Sequence, residues 1–306
     1  MTIGFEVTRG NRGLRAGLIG LALLAGPLMV HAAQAPAPAD RDFAPDFPSL
    51  TDSEHRYPLG GFGGTHRGDD PGRSPVIFVH GTTGDACNWR LVADDFLAAG
   101  WSPQALWALS YNGQGAGLGI SKSRPDPRCK GSGVPVMTSN DINVPDLFAF
   151  IEMVRAYTGS RSFSLVAHSL GVTLARKTLK VHPELRDDLV AFVGIAGGNH
   201  GTNLCPPGSE AVLVTCAEIA ANTPWLSELN GPSGEDETYG PAQWLTLYDG
   251  SGVADKAFLG DGFAQSPTLK GAYNRQLPGT GHNDLRVRED IVVIYRRFLE
   301  AADASR

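Results

Sequence analysis

Three residue types that together can activate a hydroxyl occur in this chain in a telling order. Ser169 lies in Ala167-His168-Ser169-Leu170-Gly171, and His282 lies in Pro278-Gly279-Thr280-Gly281-His282-Asn283-Asp284. Between them Asp249, Asp255 and Asp261 all follow one apolar run, Gln243 to Tyr248. A serine hydroxyl is a poor nucleophile until a base takes its proton, and an imidazole does this well when a carboxylate holds its tautomer. The chemistry such a set would perform is attack on an acyl carbon through a covalent serine intermediate. A small-x-Ser-x-Gly pentapeptide alone is weak, since a serine in an ordinary turn can show it. The order of the surrounding elements has to carry the argument.

Phe163 to Val166 is too brief for a helix and reads as a buried strand, while Val172, Leu174, Ala175 and Leu179 recur at helical spacing. Strand, sharp turn and helix with serine at the apex form the nucleophile elbow of an α/β-hydrolase. The tight turn requires small residues two before and two after the serine, and Ala167 and Gly171 stand there. Upstream, the apolar strand Ser74 to Val79 ends in His80-Gly81-Thr82-Thr83-Gly84. In that fold a backbone N–H in the loop after the third strand supplies half the oxyanion hole. Thr82 is in position to donate it. An amphipathic helix is expected over Asn88 to Ala99, a strand over Ala105 to Tyr111 and a helix from about Asn143 to Gly159. Leu189 to Ile195 reads as a strand leading to His200, to which no chemistry is assigned. Helical stretches in Ala211 to Asn230 suggest a cap, Gly271 to Leu277 the last strand, and Leu285 to Ala302 a terminal helix. The expected fold class is α/β, a mostly parallel sheet with helices on both faces. The order Ser169, Asp, His282 is that of the α/β-hydrolase triad.

Residues 1–35 read as a signal peptide. Arg9, Arg12 and Arg15 precede an apolar run from Ala16 to Val30, and Ala33-Gln34-Ala35 fits a cleavage site. The run is too short and too rich in Gly and Pro for a stable membrane anchor. Residues 36–57 are expected to be a flexible segment with little regular structure, and 58–306 a single hydrolase domain. The expected location is secreted, extracellular or periplasmic. The net charge of −6 becomes more negative once a leader with three Arg and one Glu is removed, which argues against nucleic acid or an anionic membrane as partner. All four cysteines lie beyond the leader, and an even number in an exported chain favours two disulfides. Cys129 belongs to a long Gly- and Pro-rich loop, residues 112–138, and Cys87 lies beside the Thr82 loop, so short separation and shared proximity favour Cys87–Cys129 with Cys205–Cys216. The cysteine spacing does not resemble a metal site. No cofactor is implied.

The segments Tyr157-Thr158-Gly159, Val166 to Val172 and Ile195-Ala196-Gly197-Gly198 carry a family likeness. The chain resembles secreted bacterial lipases with an Ala-x-Ser-x-Gly elbow, and the related extracellular depolymerases of native polyhydroxybutyrate, over roughly Pro75 to Leu299. The resemblance implies ester hydrolysis, with a lipid or polyester as substrate. It places the first oxyanion amide at Thr82 and the second at Leu170. In that family the acid follows a Thr-Leu-x-x-Gly strand end, which Thr246 to Gly250 matches, and Asp255 then falls in its position. Cys205 and Cys216 resemble a cysteine pair of the depolymerases. The long aromatic-rich insertion of the polymer-degrading members is reduced here to Ala211–Gly240, with Trp225 and Tyr239 as its aromatics. Rival functions on the same residues are acyl transfer to another acceptor and amide hydrolysis. A binding protein on a hydrolase shell is a third.

Overall fold

The structure is a computed structural model and describes residues 41–53, 58–111, 121–129 and 139–306. The expected leader, the tether up to residue 40 and most of the 112–138 loop lie outside the described residues.

Eight strands form one sheet: β1 (Arg41–Phe43), β2 (Gly60–Gly63), β3 (Val76–Val79), β4 (Leu106–Ser110), β5 (Phe163–His168), β6 (Leu189–Ile195), β7 (Gln243–Tyr248) and β8 (Tyr273–Gln276). Their order is β1-β2-β4-β3-β5-β6-β7-β8, and every pairing is parallel except β2 with β4. The central strands are buried along their whole length, which is why they read as continuous apolar runs rather than alternating ones.

Alternation still decides which face each side chain serves. Val76 and Phe78 of β3 join Val166 of β5 on one face, under α1 (Arg90–Ala98) and α7 (Glu289–Ala304). Trp89, Val92, Phe96, Ile291, Tyr295 and Leu299 complete that layer. Ile77 and Val79 join Leu165 and Ala167 on the other face, under α2 (Asn140–Thr158) and α3 (Leu170–Val181). Helices thus cover both faces of a mostly parallel sheet, the α/β-hydrolase arrangement.

Some boundaries and one segment differ from expectation. Helix α2 starts at Asn140, because the Ser139 hydroxyl accepts the Asp141 amide and caps it. The expected terminal helix is two helices, α6 (Asp284–Val287) and α7, divided by the extended Arg288. The expected cap consists of α4 (Val214–Ile219) and α5 (Pro224–Asn230). The clearest difference is β1, within a segment expected to lack regular structure. Two phenylalanines hold it to the domain. Phe43 and Phe47 pack on each other in a tilted arrangement at 4.8 Å, and Phe47 packs on Trp107 and Tyr157 at 4.9 and 5.2 Å.

Candidate active site

Ser169 joins β5 to α3 with φ 56° and ψ −127°, a conformation costing a non-glycine residue about 1–3 kcal/mol. Neighbouring contacts enforce it. The Ser169 amide donates to Ile195 O at 2.9 Å. A Cβ on Gly171 would lie 2.3 Å from His80 O and 2.7 Å from Val79 O, so no side chain fits there. Gly81 lies equally close on the other side, where a Cβ would come within 2.7 Å of Ser169 Cβ. The requirement for glycine two residues after the serine is therefore steric contact with the β3 strand end.

His282 comes from the turn between β8 and α6. Its Nε2 is 2.9 Å from Ser169 Oγ, and its Nδ1 is 2.9 and 3.0 Å from the two carboxylate oxygens of Asp255. The Asp255 side chain is 1% exposed and that of His282 22%. Asp255 Oδ1 also accepts the Ala257 amide at 2.9 Å, which fixes the carboxylate in the loop after β7. A carboxylate can only accept, so Nδ1 carries the proton and Nε2 is the free base that faces the serine.

Asp249 and Asp261, the competing acids, do not hydrogen-bond to His282 among the described residues. Asp249 is buried, and its two oxygens accept from Ser251, Ala254, Asp255 and Gly279. Asp261 lies exposed on the surface.

Leu170 is the first residue of α3, so its amide has no carbonyl one turn back to bond. The Thr82 amide donates no hydrogen bond among the described residues. Gly81, the residue before Thr82, lies against the Ser169 side chain. The N-terminus of α3, directly after Ser169, provides a field favourable to negative charge.

Four histidines besides His282 have defined partners. His80 Nδ1 donates to Gly81 O at 2.8 Å, and the ring stacks on Tyr111 at 3.8 Å. Burial pushes its pKa down to about 4, so it is neutral in the folded protein. His168 directly precedes Ser169 in the Ala-x-Ser-x-Gly motif. Its Nε2 donates to His282 O at 3.0 Å, so it holds the His282 backbone. Burial, and then the nearby His282, keep it well below the ordinary histidine range. Only its place before Ser169 signalled this in the sequence. His200 pairs instead with Glu237 at 3.0 Å and with Ser266 O at 2.9 Å. His182 stacks on Phe148.

Both disulfides, Cys87–Cys129 and Cys205–Cys216, are present, and no cysteine is free. Cys205 and Cys216 pack with Leu170, Ile219 and Ala220, so the second bridge lies against the start of α3. No helix among the described residues is long and apolar enough to cross a membrane. No group of three or more His, Cys, Asp or Glu side chains placed to hold a metal ion occurs among the described residues.

Residues 73–249, more than half of the chain, match the lipase (class 2) family. The match includes Thr82, Ser169 and Leu170 and ends at Asp249, before Asp255 and His282. Among solved structures, the mature form of the Bacillus licheniformis lipase BlEst2 is similar at TM-score 0.55 and 14% identity, covering 79% of this chain and 97% of its own. A monoacylglycerol lipase of Paleococcus ferrophilus covers 80% of this chain and 98% of its own, at TM-score 0.52 and 15% identity. A carboxylesterase structure from Nitrososphaera gargenis covers 85% and 100%, at TM-score 0.50 and 13% identity. Identities this low speak for the shared fold. The family match goes further: this chain belongs to the class 2 lipases and is a carboxylic ester hydrolase.

Proposed function

We propose that the chain is a secreted serine esterase acting on uncharged, water-poor esters of the acylglycerol kind through a Ser169–His282–Asp255 triad. The observation that carries this reading is the unbroken series from Ser169 Oγ through both ring nitrogens of His282 to a buried carboxylate. His282 Nε2 takes the serine proton as Oγ attacks the ester carbonyl. Asp255 holds the ring in that tautomer and stabilises the imidazolium that forms. The amides of Thr82 and Leu170 receive the oxyanion, whose charge the start of α3 also favours. The imidazolium then protonates the departing alcohol, and water, activated by the same ring, releases the acyl group from Ser169.

Several features support a lipid-like ester over a polymer. Within Ala211–Gly240, Tyr239 is buried with its hydroxyl on Leu229 O, and the Trp225 indole is engaged with Asp141. The Trp225 ring is partly buried and has Lys177 Nζ over it at 5.5 Å. What is exposed nearby is aliphatic: Leu204, Val212, Leu213 and Val214 at the Cys205–Cys216 loop, and Val253 and Leu259 on the Asp255 loop. The two loops are joined, since Asn203 Nδ2 donates to Lys256 O at 3.1 Å and the Leu259 amide donates to Asn203 Oδ1 at 2.6 Å. Export is supported by two disulfides, which persist in oxidising compartments, and by the leader-like residues 1–35.

A chain-length series of p-nitrophenyl esters, run beside tributyrin and amorphous polyhydroxybutyrate, tests the reading. Hydrolysis of the esters with clearing of tributyrin is expected. Clearing of the polymer in preference to tributyrin would place the chain with the depolymerases, and activity confined to amides would refute ester hydrolysis.

A further inference from the structure

Asp249 follows β7 directly and has both carboxylate oxygens engaged. Oδ1 accepts the Gly279 amide at 2.7 Å. Oδ2 accepts the Ser251 hydroxyl and the amides of Ala254 at 3.2 Å and Asp255 at 3.3 Å. Gly279 belongs to the turn that carries His282, and Ala254 and Asp255 to the loop that carries the acid. One carboxylate therefore grips both loops whose side chains must meet at 2.9 Å. Burial works against its charge, but the donors from Ser251, Asp255, Gly279 and Ala254 outweigh burial and hold its carboxyl below the usual range. The hydrogen-bond partners of Asp255 are different. It accepts one backbone amide, that of Ala257, and turns both oxygens toward His282 Nδ1.

We propose that Asp249 is a positioning residue: a buried anion that sets the Asp255 loop and the His282 turn in register, acting through those two side chains and touching no substrate. This rests on the reading of Ser169, His282 and Asp255 as the reacting series. An asparagine cannot replace it. The amide offers one accepting oxygen and one donating nitrogen, whereas donors face both sides, so either the Gly279 contact or the Ala254–Asp255 contact is lost.

The test is steady-state hydrolysis of p-nitrophenyl butyrate by the full chain, Asp249→Asn, Asp255→Asn and the double variant. It is joined by proton NMR of the downfield resonance of the His282 Nδ1–H. Asp249→Asn is expected to lower kcat by about 10²-fold, the scale of a small misplacement of reacting groups, with KM within about twofold. It should also shift or broaden the His282 resonance. In the Asp255→Asn background the added loss should shrink to about threefold or less, because the clamp then has no competent acid to place. Full additivity of the two losses, wild-type kcat in Asp249→Asn, or an unmoved resonance would overturn the proposal. An active Asp255→Asn beside an inactive Asp249→Asn has a different meaning: Asp249 would be the acid itself, and the triad reading would fail with it. Should Asp249→Asn fail to fold, Ser251→Ala removes one neutral donor to the same oxygen. It is expected to lower kcat about fivefold at unchanged KM, and an unchanged kcat would overturn the clamp.

Discussion

Removing the Cys87–Cys129 bridge should cost more stability than removing Cys205–Cys216, and it should cost activity too. The two bridges span sequence separations of 42 and 11. Loop-closure entropy in the unfolded chain gives about 4 kcal/mol for the longer and about 3 kcal/mol for the shorter. For a chain of this length about 2–4 °C of Tm follows each kcal/mol, so Cys129→Ser should lower Tm by about 10 °C. The loss of activity follows from where the segment is tied. Cys87 lies a few residues beyond Thr82, and residues 121–129 are clamped near His282. The Ser121 and Ser123 hydroxyls both donate to Asp284, two residues after His282. Arg124 donates to Val287 O at 2.9 Å and to Asp95 at 2.7 Å. The bridge therefore links the proposed oxyanion loop to the histidine turn, and its loss should lower kcat by about tenfold. Scanning calorimetry and p-nitrophenyl butyrate turnover on Cys129→Ser, Cys87→Ser and Cys216→Ser measure both effects. A larger Tm loss for Cys216→Ser, or wild-type kcat in both variants of the longer bridge, would refute the reasoning.

Two further predictions concern the scaffold. Gly171→Ala places a methyl 2.3 Å from the His80 carbonyl, and backbone cannot move aside cheaply. The variant should lose about 1–3 kcal/mol in urea unfolding together with most of its turnover, and an unaffected midpoint would contradict the account of the elbow. His80 titrates near 4 in the fold, against an ordinary value of 6.5, because it is buried. The unfolded chain therefore takes up that proton first. The stability tied to His80 is complete above about pH 6.5 and falls by up to about 3 kcal/mol as pH drops toward 4. His168 acts in the same direction. His200, raised by its bond to Glu237, acts in the opposite one, contributing at low pH and losing its contribution as pH rises. Urea titrations from pH 7 to 5 should show falling stability, with a shallower fall in His80→Phe. Equal slopes would mean that His80 is not the titrating group.

The central strands and the elbow were legible because burial on both faces leaves a strand few polar positions: β3 and β6 read as plain apolar runs, and β5 as a short apolar run interrupted by Ser164 and ended by His168. Ser169 and His282 could be located by the elements around them. The acid was not fixed in the same way. Three aspartates follow β7, and only the return of the 250–255 loop decides which reaches Nδ1, a long-range contact without local periodicity. The hydrogen bonds from Ser251 and Gly279 that occupy Asp249 are equally invisible in sequence. Strand β1 was missed because its hold on the domain is aromatic packing from Phe43 and Phe47 in a Pro-rich stretch, a tertiary effect against local propensity. His168 looked like motif filler because its partner, the His282 carbonyl, is 114 residues away.

The central claim is that Ser169, driven by His282, forms the acyl-enzyme. Labelling with a fluorophosphonate, followed by peptide mapping and by p-nitrophenyl butyrate turnover of wild type and Ser169→Ala, tests it most directly. The account predicts a single labelled peptide containing Ser169, and a Ser169→Ala variant that folds normally, takes no label and loses about 10⁶-fold in kcat. Label on another residue, or a folded Ser169→Ala variant that still turns over ester at the wild-type rate, would contradict it.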